Sequence, residues 1–440
     1  KTGAMVSKLD VESAFLIEEI DKPTYVALPA EYCEWKEKNR VVWKLLRSLY
    51  GLQQAPRLFW LGMRRALVGI GFRSSDHDPC IFVRQESDGT RSYVATHVDD
   101  CAVVSASLAR NRSIRDALLT KYAGVKWDDK AETFVGMAIT YGVDGSITLS
   151  QPAYLRHLLN VLGVQADGVT FSPIRIVGRT VQDEDGEEDL GLVKWLRLAV
   201  GLVQFLTMTR MEVSLPLNLV ARRMHRPTAA VKADMMQILR YLANRLDDGL
   251  VYSREGEMKL SCWVDASWQS EVGNNSRTGF ALALGANSGV VQMYSKVQSY
   301  TALSSQHAEI IAMTEAVRAV RHVRMLLSDM GYEQAGPTPV WEDNVGCIAF
   351  AKGTCPLEKT KHIANRDRYC REAVSEGIIS PVKIATKENP VDGLTKTVGR
   401  FEQESLREFL QSGKRLLAQR ATYVYAACSK VLDRVVQFII

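Results

Sequence analysis

Apolar and polar positions alternate from Val6 to Val11, the period of a half-buried strand, and the chain then changes spacing to predict helices over Ser13–Ile20 and Pro56–Gly71. Tyr93–Thr96 and Ala102–Val104 are β-rich apolar runs on either side of a Val98-Asp99-Asp100 corner, the pattern of a hairpin. From Ser107 to Arg245 the pattern is mainly helical, with helices over Pro152–Leu162, Lys194–Thr209 and Thr228–Arg245 and a strand pair near Phe134–Thr140 and Ser146–Leu149. A second α+β unit begins near Gly249, with strands over Lys259–Val264, Gly279–Leu284 and Gly289–Tyr294. Ser304 or Ser305 can cap a long helix whose Ile310, Met313, Val317, Val320 and Leu327 recur on one face. A strand over Pro339–Glu342, a helix from Asn344, a helix around Ile363–Glu376, a strand over Val382–Ala385 and a helix from Val391 complete this unit. No internal repeat is evident.

Composition narrows the class. The 440 residues are 46% hydrophobic and 24% charged, which suits several packed domains rather than a disordered or fibrous chain. Lys and Arg outnumber Asp and Glu by 55 to 50, a mild cationic excess that suits a polyanionic partner without requiring one. Eight cysteines are scattered without a C-x-x-C pair and no signal peptide opens the chain, so reduced intracellular thiols and no zinc site are expected. Tyr423–Ile440 is apolar but interrupted by Lys430, Asp433 and Arg434, which suggests an amphipathic helix rather than a membrane span. No start methionine precedes the first strand, so the chain reads as part of something longer. The acidic run from Asp183 to Asp189 reads as a solvated loop.

The candidate chemistry lies in two sets of acids. Asp10 ends a strand and Asp99-Asp100 occupy the hairpin corner, so a folded sheet could gather three carboxylates of the kind that hold Mg²⁺. Taken alone, Asp-Asp at a turn is ordinary turn chemistry. In the second unit Asp265 ends the first strand, Glu309 lies in the early turns of the long helix, Asp343 ends a later strand and Asp392 opens the last helix.

Ordered motifs change the weight of these acids. Lys8–Phe15 (K-L-D-V-E-S-A-F), Leu49–Arg57 (L-Y-G-L-Q-Q-A-P-R), His97–Asp100 (H-V-D-D) and Phe134–Met137 (F-V-G-M) resemble, in order and spacing, the palm motifs of copia-type retrotransposon reverse transcriptases. Val264–Trp268, Leu303–Glu309, Glu342–Asn344, Lys361–Ile363 and Val391–Lys396 resemble the ribonuclease H part of the same Pol polyprotein family. The resemblance covers roughly Met5 to Arg400.

That resemblance implies an α+β multidomain chain. A reverse-transcriptase palm over 1–148, with the fingers largely missing, precedes a mostly helical thumb and connection over 149–248. A ribonuclease H-like α/β domain over 249–400 and an unassigned helical extension over 401–440 follow. Asp10, Asp99 and Asp100 would be the catalytic metal-binding set of the polymerase, and Asp265, Glu309, Asp343 and Asp392 that of the ribonuclease, each holding two Mg²⁺ or Mn²⁺ ions. Phe15 would be the gate against a ribose 2′-hydroxyl, although its spacing also allows a core residue; Tyr50 and Gly51 would flank nucleotide and template, and Phe134, Val135, Gly136 and Met137 would form the primer grip. Arg210, Arg222, Arg223, Arg226 and Lys232 could meet phosphates. The implied partners are RNA template, DNA primer, RNA–DNA hybrid and deoxynucleoside triphosphates, with no membrane, in a cytoplasmic particle or the nucleus; oligomeric state is left open. The alternative is a truncated, inactive or host-adopted relic that binds nucleic acid. A metabolic nucleotide enzyme is disfavoured, since no G-x-G-x-x-G or G-x-x-x-x-G-K loop occurs.

The sequence departs from the family at several points. His97 stands where Y-V-D-D has tyrosine, Gln306-His307 replace the T-E of S-T-E-A-E, and Met293 stands where tryptophan is usual. Pro381–Pro390 lacks the histidine that some retroviral ribonucleases H use.

Overall fold

The computed structural model describes residues 5–27, 31, 42–122, 124–165, 168, 170–174, 189–270, 275–355 and 365–414. The chain divides into two compact units, one of Thr2–Ile139 with Met325–Tyr332, the other of Thr140–Arg324 with Glu333–Ile440. The motif Lys361–Ile363, the acidic residues 183–188 and the apolar tail Tyr423–Ile440 lie outside the described residues. No described helix is long and apolar enough to cross a membrane.

In the first unit the chain runs β1 (Met5–Val11), β2 (Tyr25–Ala27), β3 (Val42–Lys44), α1 (Ala55–Gly69), β4 (Arg73–Ser74) and β5 (Ile81–Gln85). It continues through β6 (Arg91–His97), β7 (Asp100–Ser105), α2 (Leu108–Leu119), β8 (Val125–Asp128), β9 (Thr133–Phe134) and the start of β10 (Met137–Tyr141). Six strands form a sheet in the order β4-β5-β6-β7-β1-β8, and β2 and β3 form a separate hairpin. Alternation along β1 buries Leu9 and Val11 with Val94, Cys101 and Val103 against Phe59, Met63 and Leu67 of α1 and Ile114 and Leu118 of α2. Ser107 caps α2 by accepting from Arg110 N.

The second unit contains β11 (Ile147–Ser150), α3 (Pro152–Val161), α4 (Leu190–Leu206), α5 (Ser214–Ala221), α6 (Ala229–Ala243) and β12 (Gly249–Tyr252). β11 pairs with β12, and α3 to α6 bury a core that includes Leu155, Leu196, Val203 and Ile238. There follow β13 (Leu260–Ser267), β14 (Arg277–Leu284), β15 (Val290–Val297), α7 (Ser305–Asp329), β16 (Thr338–Glu342), α8 (Val345–Ala351), α9 (Tyr369–Ser375), β17 (Ile379–Lys383) and α10 (Arg400–Ser412). The five strands lie in the order β15-β14-β13-β16-β17, antiparallel from β15 to β13 and parallel from β13 to β17. Ile310, Met313, Val317 and Val320 of α7 are buried with Cys262 and Val264 of β13, as the helical spacing requires. On the sheet's other side Trp263 and Ala281 pack with Phe409 and Leu410 of α10.

Several expected elements differ. Ser13–Ile20 is not a full helix, because Ser13 turns left-handed at φ 55° and only Ala14–Leu16 form a 3₁₀ turn. The chain then runs beside the segment that follows β3, where Ile20 N donates to Leu46 O at 3.3 Å and Glu19 pairs with Arg47 in an isolated β-bridge. The helix expected from Val391 is a 3₁₀ turn over Asp392–Leu394, with α10 beginning only at Arg400 after Gly399. Of the expected helix Ile363–Glu376, the described part is a 3₁₀ turn over Asn365–Arg368 followed by α9. Asp265 is not a strand end: Ala266 and Ser267 continue the ladder opposite Thr278 and Arg277.

Candidate functional sites in the two units

In the first unit the β1–β7 register sets Asp10 opposite Asp100, and Val11 N donates to Asp99 O at 3.1 Å. The β6–β7 hairpin closes between His97 and Asp100, with Val98 at φ 56°. A branched side chain is disfavoured at a positive-φ hairpin position that usually carries glycine, so Val98 holds local strain of about 1–3 kcal/mol. Replacing Val98, which is 42% exposed, by glycine is expected to raise stability by roughly 0.5–1 kcal/mol in urea denaturation. An unchanged midpoint would mean the turn is relaxed.

The expected primer-grip residues form a second tight hairpin. Phe134 pairs with Met137 across Val135 and Gly136, which take φ 49° and 74°. This turn docks on the acids: Val135 N donates to Asp100 Oδ2 at 3.0 Å, and Lys8 Nζ lies 3.3 Å from Asp100 Oδ1. Asp100 Oδ1 is buried without a hydrogen-bond partner, and Asp10, Asp99 and Asp100 do not converge as a ligand set among the described residues. Phe15 is half-buried, with its ring centroid 5.1 Å from that of Tyr50 and 6.5 Å from that of Phe59, so it packs among aromatic rings at the edge of the core. Gly51 takes φ 92°, a conformation that favours glycine.

In the second unit Asp265, Glu309 and Asp343 each offer a carboxylate oxygen, and these atoms lie within 4.8 Å of one another, the sole such group of three or more metal-ligating side chains among the described residues. Each comes from a local device. Asp265 projects from β13 beside the 3₁₀ turn that carries Asp392, and the Thr395 hydroxyl donates to Asp265 Oδ2. Glu309 stands on the second turn of α7, whose start is capped by Ser304 Oγ accepting from His307 N at 3.1 Å. Asp343 lies between β16 and α8, where Asn344 Oδ1 accepts from Cys347 N at 2.9 Å and Glu342 Oε1 accepts from Asn344 N at 2.8 Å.

The turn around Asp392 is fastened down by groups without an expected role. Ser267 Oγ donates to Thr395 O at 2.8 Å and Ser295 Oγ to Leu394 O at 2.6 Å. Gly279 pairs with Asp265, and a Cβ there would lie 2.6 Å from Thr395 Cγ2, so the turn reaches the sheet because this residue has no side chain. Nothing in the local sequence pattern singled out Ser295 or Gly279. His307, in place of the family's glutamate, is buried with Nε2 3.3 Å from Asp367 Oδ2.

Burial and mutual repulsion govern the charges. Asp265 is 2% exposed, and burial together with Asp392 pushes its carboxyl up to about 7 against the opposing pull of Lys396 and Thr395. Burial, then Glu342, Asp265 and Asp343, raise Glu309 well above the carboxylate range, and burial raises Asp392 against Lys396. Glu309 Oε2 and Asp392 Oδ1 are buried without a hydrogen-bond partner. Clustered oxygen ligands with unmet acceptors fit a hard divalent cation of the Mg²⁺ or Mn²⁺ kind.

The chain carries a reverse transcriptase domain: residues 1–175 match the family described as reverse transcriptase (RNA-dependent DNA polymerase). Its homologues over most of its length are Pol polyproteins of copia-type transposons. It is 27% identical over 401 residues to the retrovirus-related Pol polyprotein from transposon RE2 of Arabidopsis thaliana, covering 90% of this chain and 27% of that protein. Identity is 27% over 414 residues with the corresponding polyprotein from transposon TNT 1-94 of Nicotiana tabacum, covering 92% of this chain and 31% of that one. The chain thus spans under a third of the length of these relatives. Among solved structures, RNase H1 from Halobacterium salinarum NRC-1 is similar at a TM-score of 0.24 and 16% identity, over 31% of this chain and 94% of that one. The foamy viral protease-reverse transcriptase in complex with double-stranded DNA is similar at 0.21 and 14%, over 90% and 61%. Both structural likenesses are faint.

Proposed function

We propose that this chain is the polymerase and ribonuclease H portion of a copia-type Pol polyprotein, acting on RNA–DNA hybrids inside the cell, in cytoplasmic particles or the nucleus. The observation that carries the reading is the convergence of Asp265, Glu309 and Asp343, with Asp392 on the adjoining turn. In this reading the five-stranded domain is ribonuclease H-like, the helices before it are thumb and connection, and the first unit is the palm. Asp265, Glu309, Asp343 and Asp392 would hold Mg²⁺ or Mn²⁺, which when bound activates water and stabilises the leaving 3′ oxygen of an RNA phosphodiester. The chain's own contribution is to desolvate these acids and fix their positions through Asn344, Thr395 and the serines on the neighbouring strands.

Polymerase activity on primer, template and deoxynucleoside triphosphates would rest on Asp10, Asp99 and Asp100, with Phe15, Tyr50 and Gly51 at the nucleotide and Phe134–Met137 at the primer. A second reading, a hybrid-binding relic without turnover, is favoured for this first unit by the engagement of Asp100 with Lys8 and Val135 N. The test is incubation of the chain and its Asp343→Asn variant with labelled RNA–DNA hybrid and Mg²⁺ or Mn²⁺. RNA cleavage by the unmodified protein alone supports the enzyme; hybrid binding by both without cleavage supports the relic.

A further inference from the structure

Lys396 follows Asp392 by one helical turn and points its ammonium back at the acids, 2.8 Å from Asp392 Oδ2 and 4.0 Å from Asp265 Oδ2. The two carboxylates come from distant parts of the chain, so this one cation bridges β13 and the Asp392 turn. The four acids therefore fall into unequal halves. Glu309 is 7% exposed with Oε2 unpartnered, and it converges with Asp265 and Asp343. Asp392 already has a counter-charge at contact distance, yet its other oxygen, Oδ1, is buried and unmet. The Lys396 side chain is 40% exposed, so its head can leave for water without unpacking the core. A compact ammonium on a flexible four-carbon stem is suited to such exchange, whereas a planar guanidinium would grip both carboxylates.

We propose that Lys396 is a built-in counter-ion of the acid cluster, seated between Asp265 and Asp392 where a second divalent cation would bind, so that the site loads its ions in order. The first ion enters at Asp265, Glu309 and Asp343; the second enters only as Lys396 swings outward. This rests on the metal-dependent ribonuclease reading of the cluster. Lys396 is thus a positioning residue: with one ion bound it keeps Asp392 oriented, and it lowers the site's affinity for the next. An ammonium carries one charge where a divalent ion carries two, so exchange becomes favourable once a substrate phosphate adds negative charge.

Calorimetric titration of the full chain with Mn²⁺ tests this, using the unmodified protein, Lys396→Met, Lys396→Arg and Asp343→Asn. One strong ion and a weaker second are expected for the unmodified protein. Lys396→Met should bind the second about tenfold more tightly, and Lys396→Arg should keep it weak. Without metal Lys396→Met should melt below the unmodified protein, and saturating Mn²⁺ should erase or reverse that difference. A Lys396→Met isotherm that superimposes on the unmodified one, or a Lys396→Arg isotherm like that of Lys396→Met, overturns the proposal. If Asp343→Asn still abolishes the strong site in that event, the metal-site reading survives alone. If the unmodified protein binds no Mn²⁺, both fall together.

Discussion

Asp265→Asn is expected to abolish RNA-strand cleavage and, at the same time, to stabilise the metal-free protein. The two effects have one cause. The Asp265 carboxylate is nearly fully buried beside Asp392, and its ionisation is opposed strongly enough to push its carboxyl up to about 7. A neutral amide of the same shape removes that repulsion, which is worth about 1–2 kcal/mol once water penetration and Lys396 are allowed for. The amide also loses the charge that makes the residue a cation ligand, and several kcal/mol of lost charge stabilisation is on the order of a thousandfold in rate. Hybrid cleavage and thermal melting in chelator, measured on one preparation, check both halves. A variant that is inactive but less stable would indicate that Asp265 serves the fold, through its hydrogen bond from Thr395, more than the chemistry.

The second large effect concerns protons and cations together. Asp265 has a folded-state carboxyl raised to about 7 from an ordinary value of 3.8, and Glu309 and Asp392 are raised as well. A raised carboxyl binds its proton more tightly in the folded state than in the unfolded one. Its ionised form therefore costs stability above the folded value, and that cost disappears as pH falls toward the unfolded value. Without metal, these acids should make the protein more stable at about pH 5.5 than at about pH 8. A divalent cation competes for the same oxygens, so its stabilising effect should run the other way, large at about pH 8 and small at about pH 5.5. Melting curves in chelator and in Mg²⁺ across this range test the linkage. A gain from Mg²⁺ that is equal at both ends would place the ion somewhere other than this cluster.

Much of this was legible in the sequence because its periodicities were strong. The face Ile310, Met313, Val317 and Val320 identified α7 and its buried side, and the hairpin around Val98–Asp100 was visible as two apolar runs flanking a polar corner. Local backbone conformation was harder. Ser13 at φ 55° cut short an apolar stretch that looked helical, and the Asp392 turn is held in a 3₁₀ form by contacts from β13 and β15 that no local pattern contains. Among site residues the acids announced themselves through motifs, while Gly279, Ser267 and Ser295 act only through where the sheet places them. The first acid set shows the reverse: Asp10 and Asp100 face each other as the strand order implies, but Lys8 and Val135 N occupy Asp100.

The parallel pairing of β13 with β16, and of β16 with β17, has a kinetic consequence. Cys262 pairs with Val340, and Val340 with Pro381, so the middle of this sheet closes only after about eighty residues have emerged and its edge about forty later. Such non-local closures are slow, because the entropy of a long loop is lost before any contact compensates it. Asp265, Asp343 and Asp392 belong to successive stages of that closure, so their mutual repulsion arises late, when the surrounding core is already in place. A chain halted before β17 would already carry Asp265, Glu309 and Asp343 on β13, α7 and the end of β16, and would lack only the turn that brings Asp392, so the three-acid cluster precedes its fourth member as the chain emerges.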